Sequence, residues 1–241
     1  MSYRDAAYGS YVGAHLDHLQ QLSHANLERQ RPVYRARFLN YLPPDRSAPI
    51  LDLGCGHGSF LYFLRAEGFE TVEGVDVSPE QVKMARDFNI ENVVNADLMK
   101  FLHDCPDERY EANCMLDVIE HFKKQELLPL LQQTHRCLRR GGRLILYTPN
   151  AEGPFGARYR YYDLTHEIGF TPQSMAQAIR LAGFSSVMLR PVEPVVHGLA
   201  SAFRWVLWKA IKIVLRFYML VETGTCHGFL FTQSMITIAM K

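Results

Sequence analysis

The stretch ILDLGCGHGSFLYFLR, Ile50 to Arg65, sets Gly54, Gly56 and Gly58 at every second position, directly after an apolar run and directly before a helix-forming one. A strand that opens into side-chain-free backbone and then into a helix brings main-chain N–H groups, and the positive end of a helix dipole, to whatever lies in the crevice beyond it. The dinucleotide fingerprint G-x-G-x-x-G requires a glycine at the position that Ser59 holds here, so the spacing departs from that pattern.

Outward from this turn, strands and helices alternate. ILDLG is followed by a helix over 59–66, the strand TVEGVDV, and a helix opened by SPEQ, with Ser78 as N-cap and Pro79 in first position. A short strand near ENVVNAD, a strand at EANCMLDV, a helix over KQELLPLLQQTHRCL and a strand GRLILYT after the Gly141-Gly142 turn continue the series. This order predicts an α/β fold with a doubly wound, mostly parallel sheet and its ligands at the carboxyl ends of the strands. Residues 14–42 carry apolar positions at helical spacing and predict an N-terminal helical cap, ended by the connector LPPDRSAP. Beyond Thr148 lie an irregular stretch, PNAEGPFGARYRYYDLTHEIGF, a helix opened by TPQSMAQAIRLAG, a strand near SVMLRPVEPV, an apolar helix and a last strand, FTQSMITIAMK. We read one domain over 1–241, made of a cap (1–47), a ligand-binding core (48–150) and an acceptor-side half (151–241).

Composition narrows the partners. The 26 basic residues face 25 acidic ones, so the chain lacks the basic field of a nucleic-acid binder. Its five cysteines form no C-x-x-C, which points away from a disulfide framework or zinc site and toward a reduced, cytoplasmic setting. The polar start MSYRDAAYGSYVG lacks the apolar core of a signal peptide.

The segment LDLGCGHG, with Asp52 ahead of its glycines, resembles motif I of the class I S-adenosylmethionine-dependent methyltransferases. The resemblance runs from about residue 48 to 148, and the closing antiparallel strand fits the seventh strand of that fold. It implies S-adenosylmethionine as cofactor, held by Asp52, Gly54, Cys55, Gly56 and Gly58, with Val77 and Leu116 beside it. Asp76, ending its strand, can accept hydrogen bonds from both ribose hydroxyls, a device that nicotinamide cofactors share. Asp97 matches the position that contacts the adenine amino group, and Leu98 offers backbone there. Asp76 and Asp97 can equally cap helices or end turns.

Two later segments address the acceptor. After the fourth strand the chain has LDVIEHF rather than the Asn/Asp-Pro-Pro-aromatic motif of exocyclic-amine methyltransferases, which disfavours base methylation. LDVIEH resembles small-molecule O-methyltransferases, including those of the ubiquinone pathway. Asp117, Glu120 and His121 can hold a divalent cation such as Mg that polarises a hydroxyl, or His121 can act directly as base or only pack against the cofactor. YYDLTHEIGFTP resembles a segment of methyltransferases associated with bacterial surface polysaccharides. There His166 is the first expected base, with Asp163 and Glu167 orienting it or only pinning the loop with it. RYRYY, Arg158 to Tyr162, offers cations and rings for a phosphate or a sugar face. Arg31, Tyr34 and Arg35 of the cap are expected over the cofactor carboxylate, whereas no role attaches to His57 or His103.

The segment 198–221 is unusual for such an enzyme. As a helix it stripes Lys209, Lys212 and Arg216 along one side, with Trp205 and Trp208 each four residues before a lysine, and Val206, Ala210, Ile213, Val214, Phe217 and Leu220 opposite. Four cations oppose a membrane crossing, at about 2.5–3.5 kcal/mol each near the bilayer centre. The stripe suits a helix lying flat on anionic lipid, making the protein peripheral at the inner face of the cell membrane, or one packed on its own domain or on a second copy in a homodimer. The expectation is therefore an O-methyltransferase acting on a sugar hydroxyl of a bacterial surface glycan or its lipid-linked precursor. Quinone or phenol O-methylation and a non-catalytic cofactor-binding or membrane scaffold are the alternatives.

Overall fold

A computed structural model describes residues 23–241; the expected cap before Ser23 lies outside the described residues. Helix α1 (His24–Phe38) begins where the Ser23 hydroxyl accepts the amide of Asn26 at 3.3 Å, and a 3-10 turn (Leu39–Tyr41) leads into the proline-rich connector. Then follow β1 (Ile50–Leu53), α2 (Ser59–Ala66), β2 (Val72–Asp76), α3 (Pro79–Asp87), β3 (Val93–Asn95), α4 (Leu98–Asp104), β4 (Tyr110–Leu116), a 3-10 turn (Ile119–His121), α5 (Lys124–Cys137) and β5 (Leu138–Pro149). The second half adds α6 (Gly156–Arg160), α7 (Pro172–Leu181), β6 (Ser186–Pro191), α8 (Leu199–Thr223) and β7 (Ser234–Met240).

Seven strands form one sheet in the order β3-β2-β1-β4-β5-β7-β6. β1 to β5 pair in parallel, and β7 runs antiparallel between β5 and β6. The sheet is therefore the doubly wound, mostly parallel one expected, with its strand order reversing at β1 and β4. Ligand-binding crevices of such sheets lie at the carboxyl ends of the strands at this reversal. β1 is buried on both faces, as a central parallel strand must be: Leu51 and Leu53 enter one core and Ile50 the other.

Local signals account for most element boundaries. Ser78 and Thr171 cap α3 and α7, each accepting the amide three residues on, and each is followed by a proline at the first helical position. β5 differs from expectation. It begins at Leu138, pairs with Tyr110, and resumes pairing at Arg143, so the Gly141-Gly142 turn is a bulge within the strand rather than its start. Gly141 takes φ +75° there.

The stretch 149–170, expected to be irregular, holds α6 and is tied down at both ends. The Asn150 side chain donates to the Leu230 and Thr232 carbonyls at 2.6 and 2.9 Å, and Asn150 bridges to Phe170. The Glu120 carbonyl accepts the amides of Glu167 and Ile168 at 2.8 and 3.1 Å. Among the described residues no helix is long and apolar enough to cross a membrane.

α1 is attached to α2 by aromatic packing. Phe38 meets Phe60 edge-on at 5.3 Å between centroids, and Tyr34 meets Phe60 at 5.5 Å, with Phe38 wholly buried. Phe38→Ala should cost about 3–5 kcal/mol in urea unfolding, the range for truncating a buried phenylalanine; a loss below 1 kcal/mol would show that the cap is not packed on the domain.

Candidate functional site

At the carboxyl ends of β1, β2 and β4 lies a cavity of about 560 Å³. Its floor is the glycine turn. Gly54 and Gly56 adopt φ +74° and +56°, and a Cβ at Gly54 would fall 2.4 Å from Val118 Cγ2, so neither position admits a side chain without strain. The turn does not offer the open row of amides expected from its sequence. Gly54 N and Cys55 N both donate to Val75 O, and Gly58 N donates to Cys55 O. The amide of Gly56 goes to Asp76 Oδ2 at 2.8 Å, while the other oxygen of Asp76 accepts Ser78 N at 2.8 Å. The turn thus provides close approach, and the polar recognition falls to the carboxylates around it.

Two of those carboxylates, Asp52 and Asp76, are buried, and the third, Asp97, is exposed. Asp52 lines the cavity, and burial together with Asp76 pushes its pKa up to about 8. Asp76 is also raised by burial, against the pull of the Ser78 and Gly56 amides. Asp97 lines the cavity and caps α4, accepting Lys100 N at 3.0 Å, so it takes the capping role and the cavity position together. Cys55, Val77, Leu98 and Leu116 also line the cavity. Gly58 lies outside it and caps α2 with φ +84°.

The wall over this floor comes from α1 and β5. Tyr34 lines it, its hydroxyl 2.9 Å from Ser59 Oγ. Arg31 and Arg35 turn away to Glu67, at 3.4 and 3.2 Å, because their side of α1 faces the end of α2. The cation at the cavity is instead Arg37, which sits 5.7 Å from the Tyr147 ring centroid and faces Asp117. Nothing in the cap sequence separates Arg37 from its neighbours. Arg37 also borders a second cavity of about 380 Å³, together with Tyr41, Arg190, Glu193 and Trp205.

Beyond β4 the chain turns sharply. Asp117 holds φ +54°, and its amide donates to Tyr147 O at 2.8 Å. It lines the cavity, and burial pushes its pKa up to about 7 despite Arg37. Glu120 is buried under the turn, where Thr148 Oγ1 donates to its Oε2 at 3.0 Å. Burial and the nearby Asp117 carry its pKa well above the carboxylate range.

His121 lines the cavity from one side and is held from the other. Its Nδ1 lies 2.8 Å from Thr165 Oγ1, and that hydroxyl donates to Asp163 Oδ1 at 2.6 Å. Because the Thr165 proton is committed to Asp163, Nδ1 of His121 is the donor, and the lone pair of the neutral ring falls on Nε2. Burial and His166 press the His121 pKa down to about 4, opposed by Asp163 and by main-chain contacts to Thr165 and Asp117. His166 stands behind it, with ring centroids 4.8 Å apart. It is absent from the cavity wall, and its Nδ1 donates to Tyr159 O at 3.0 Å. Glu120, His121 and His166 each bring one ligand atom within 4.8 Å of the others, a grouping that leaves out Asp117. Of RYRYY, Arg160 bonds the His166 and Glu167 carbonyls, whereas Tyr161 and Tyr162 stand exposed. His57 is on the cavity wall; His103 is exposed in the last turn of α4.

The profile of the methyltransferase domain family matches residues 27–189, from α1 through the sheet to β6. The chain belongs to this methyltransferase domain family. A tRNA U34 carboxymethyltransferase of Saccharophagus degradans is 29% identical over 127 residues, which cover 50% of this chain and 38% of that protein. A ubiquinone biosynthesis O-methyltransferase of Xylella fastidiosa is 26% identical over 130 residues, 50% of this chain and 52% of that protein. The chain therefore spans about half or less of these curated relatives. A solved S-adenosylmethionine-dependent methyltransferase of Archaeoglobus fulgidus shares the fold, with TM-score 0.65 and 21% identity over 91% of this chain and all of that one.

The cofactor of this methyltransferase domain is S-adenosylmethionine, and the cavity suits it. A buried carboxyl at Asp52 and a carboxylate at Asp76 face space that a cationic, ribose-bearing ligand would fill, over a floor kept free of side chains. Asp76→Ala should weaken S-adenosylmethionine binding by about 1.5–3 kcal/mol in calorimetric titration, as for a charged hydrogen bond; unchanged affinity would remove Asp76 from the site.

Asp52 also sets a pH dependence in the ligand-free protein. Its folded pKa lies above its unfolded one, so the cost of its buried charge is absent below about pH 4, grows as pH rises toward 8 and levels off beyond. Glu120, also buried, acts in the same sense. Asp52→Asn should raise Tm at pH 8.5 by about 2–8 °C, as roughly 1–2 kcal/mol would, with a smaller effect at pH 4.5. An equal effect at both pH values would show that Asp52 is not held protonated.

Proposed function

We propose that the domain transfers a methyl group to a hydroxyl oxygen, with His121 taking the proton. The observation that carries this is the chain from Asp163 through Thr165 to His121, which ends on a ring at the cavity wall and sets its tautomer. Bound S-adenosylmethionine supplies an electrophilic methyl carbon on a sulfonium. An acceptor hydroxyl that took this methyl group, as the carbon–sulfur bond broke, would give up its proton to Nε2 of His121. Burial and His166 keep the resting ring neutral and able to accept a proton, while Asp163 and the main-chain groups of Thr165 and Asp117 favour the imidazolium so formed. His166, the base first expected, supports the loop behind His121 in this reading.

For the acceptor we propose a sugar hydroxyl on a surface glycan or on its lipid-linked precursor. The second cavity supports this, since Arg37, Arg190 and Trp205 offer two guanidiniums and an indole to an anionic, ring-bearing substituent, with Glu193 at the edge. The near balance of charge favours an acceptor other than nucleic acid. A quinone or phenol is the competing acceptor, favoured by the likeness to the ubiquinone O-methyltransferase. A second reading of the chemistry, a divalent cation on Glu120, His121 and His166, is favoured by the convergence of their ligand atoms.

The test is transfer of radiolabelled methyl to fractionated glycan and lipid extracts and to a panel of phenols. His121→Ala should lower turnover about a hundredfold or more with cofactor affinity unchanged. Thr165→Val should lower it about tenfold and Thr165→Ser restore it. Comparable turnover in His121→Ala would overturn the assignment, and activity lost to chelation and regained with Mg would favour the cation.

A further inference from the structure

Helix α8 is the part of the molecule that methyl transfer does not explain. It runs for 25 residues, about 37 Å at about 1.5 Å per residue, and among its residues only Ser201 is buried. The side toward the domain carries Ser201, Trp208 and Lys212. Lys212 and Lys209 both bond to Glu193, the latter at 3.2 Å, and Lys209 Nζ lies 4.6 Å from the Trp205 ring centroid. The basic stripe therefore leans on the protein, and the opposite side is presented outward.

At about 100° per residue, that outward side is a half-cylinder without a single charged residue. Along its centre Phe203, Val214, Phe217 and Val221 are 65–71% exposed. Arg204 and Glu222 mark one boundary of the arc, and Lys209 and Arg216 the other. Exposed apolar surface of this extent on a single element marks an interaction site. Its charges decide the occupant. Four cations face one carboxylate on the helix, and the outermost, Arg204 and Arg216, flank the apolar arc at the level where anionic headgroups meet acyl chains. A second copy would bring the same excess of cations against itself. The charges also leave the helix not apolar enough to cross a membrane.

We infer that α8 docks the domain onto an anionic bilayer surface, its apolar half-cylinder in the headgroup–acyl boundary and its exposed cations, Arg204 and Arg216, at the phosphates. This stands independently of the acceptor chemistry. The full chain should float with vesicles of phosphatidylcholine and phosphatidylglycerol and bind at least tenfold less to phosphatidylcholine alone or at high salt. Phe203→Asp with Phe217→Asp should abolish flotation, while circular dichroism melting, insensitive to such exposed positions, stays unchanged. Failure of the wild-type chain to float with the anionic vesicles would overturn the inference. So would equal flotation of the double variant, or a lipid-free dimer that the double variant breaks.

Discussion

The buried carboxylate of Asp76 organises the site. With one oxygen on the Gly56 amide and the other on that of Ser78, it ties the turn after β1 to the start of α3 and so fixes two of the three strand ends around the cavity. The arrangement is costly without a ligand, because both carboxyls lie where water reaches poorly and Asp76 further resists the ionisation of Asp52. A fold that keeps two such groups side by side gains from a cation placed against them. The sulfonium and ammonium of S-adenosylmethionine would provide that charge, and its ribose would provide donors for the lone pairs that Asp76 keeps.

The second half of the domain turns this binding site toward chemistry. Glu120 holds the stretch 149–170 through its main-chain carbonyl and lies beneath Thr148, so the segment carrying Asp163 and Thr165 is pressed onto the 3-10 turn that carries His121. The loop is tied down at Thr165 and Glu167 and exposed at Tyr161, Tyr162 and Leu164.

Much of this was legible in the chain because its signals are local. The glycine spacing, the capping serine and threonine with their prolines, and the alternation of strands and helices each depend on a few neighbouring residues, and they placed β1 to β4 and α2, α3 and α7. What escaped depends on tertiary packing. Whether Arg31, Arg35 or Arg37 meets the cavity follows from the rotation of α1 on α2, which aromatic contacts to Phe60 and Phe63 set. Thr165 gave no sign of its role, since a hydroxyl between Asp163 and His166 becomes a link only once the loop folds back on His121. The glycine turn was read as a source of amides because nothing in the sequence shows that β2 would take them. On α8 periodicity separated the basic side from the apolar one, but only Glu193 reveals which of them faces the domain.

The most direct measurement is calorimetric titration with S-adenosylmethionine at pH 7 in two buffers of different ionisation heat. If the cavity holds its ligand by setting a cation against buried acids, binding should release protons, and Asp52→Asn should reduce that release while binding persists. Absence of binding, or binding with no proton exchange in either buffer, would contradict it.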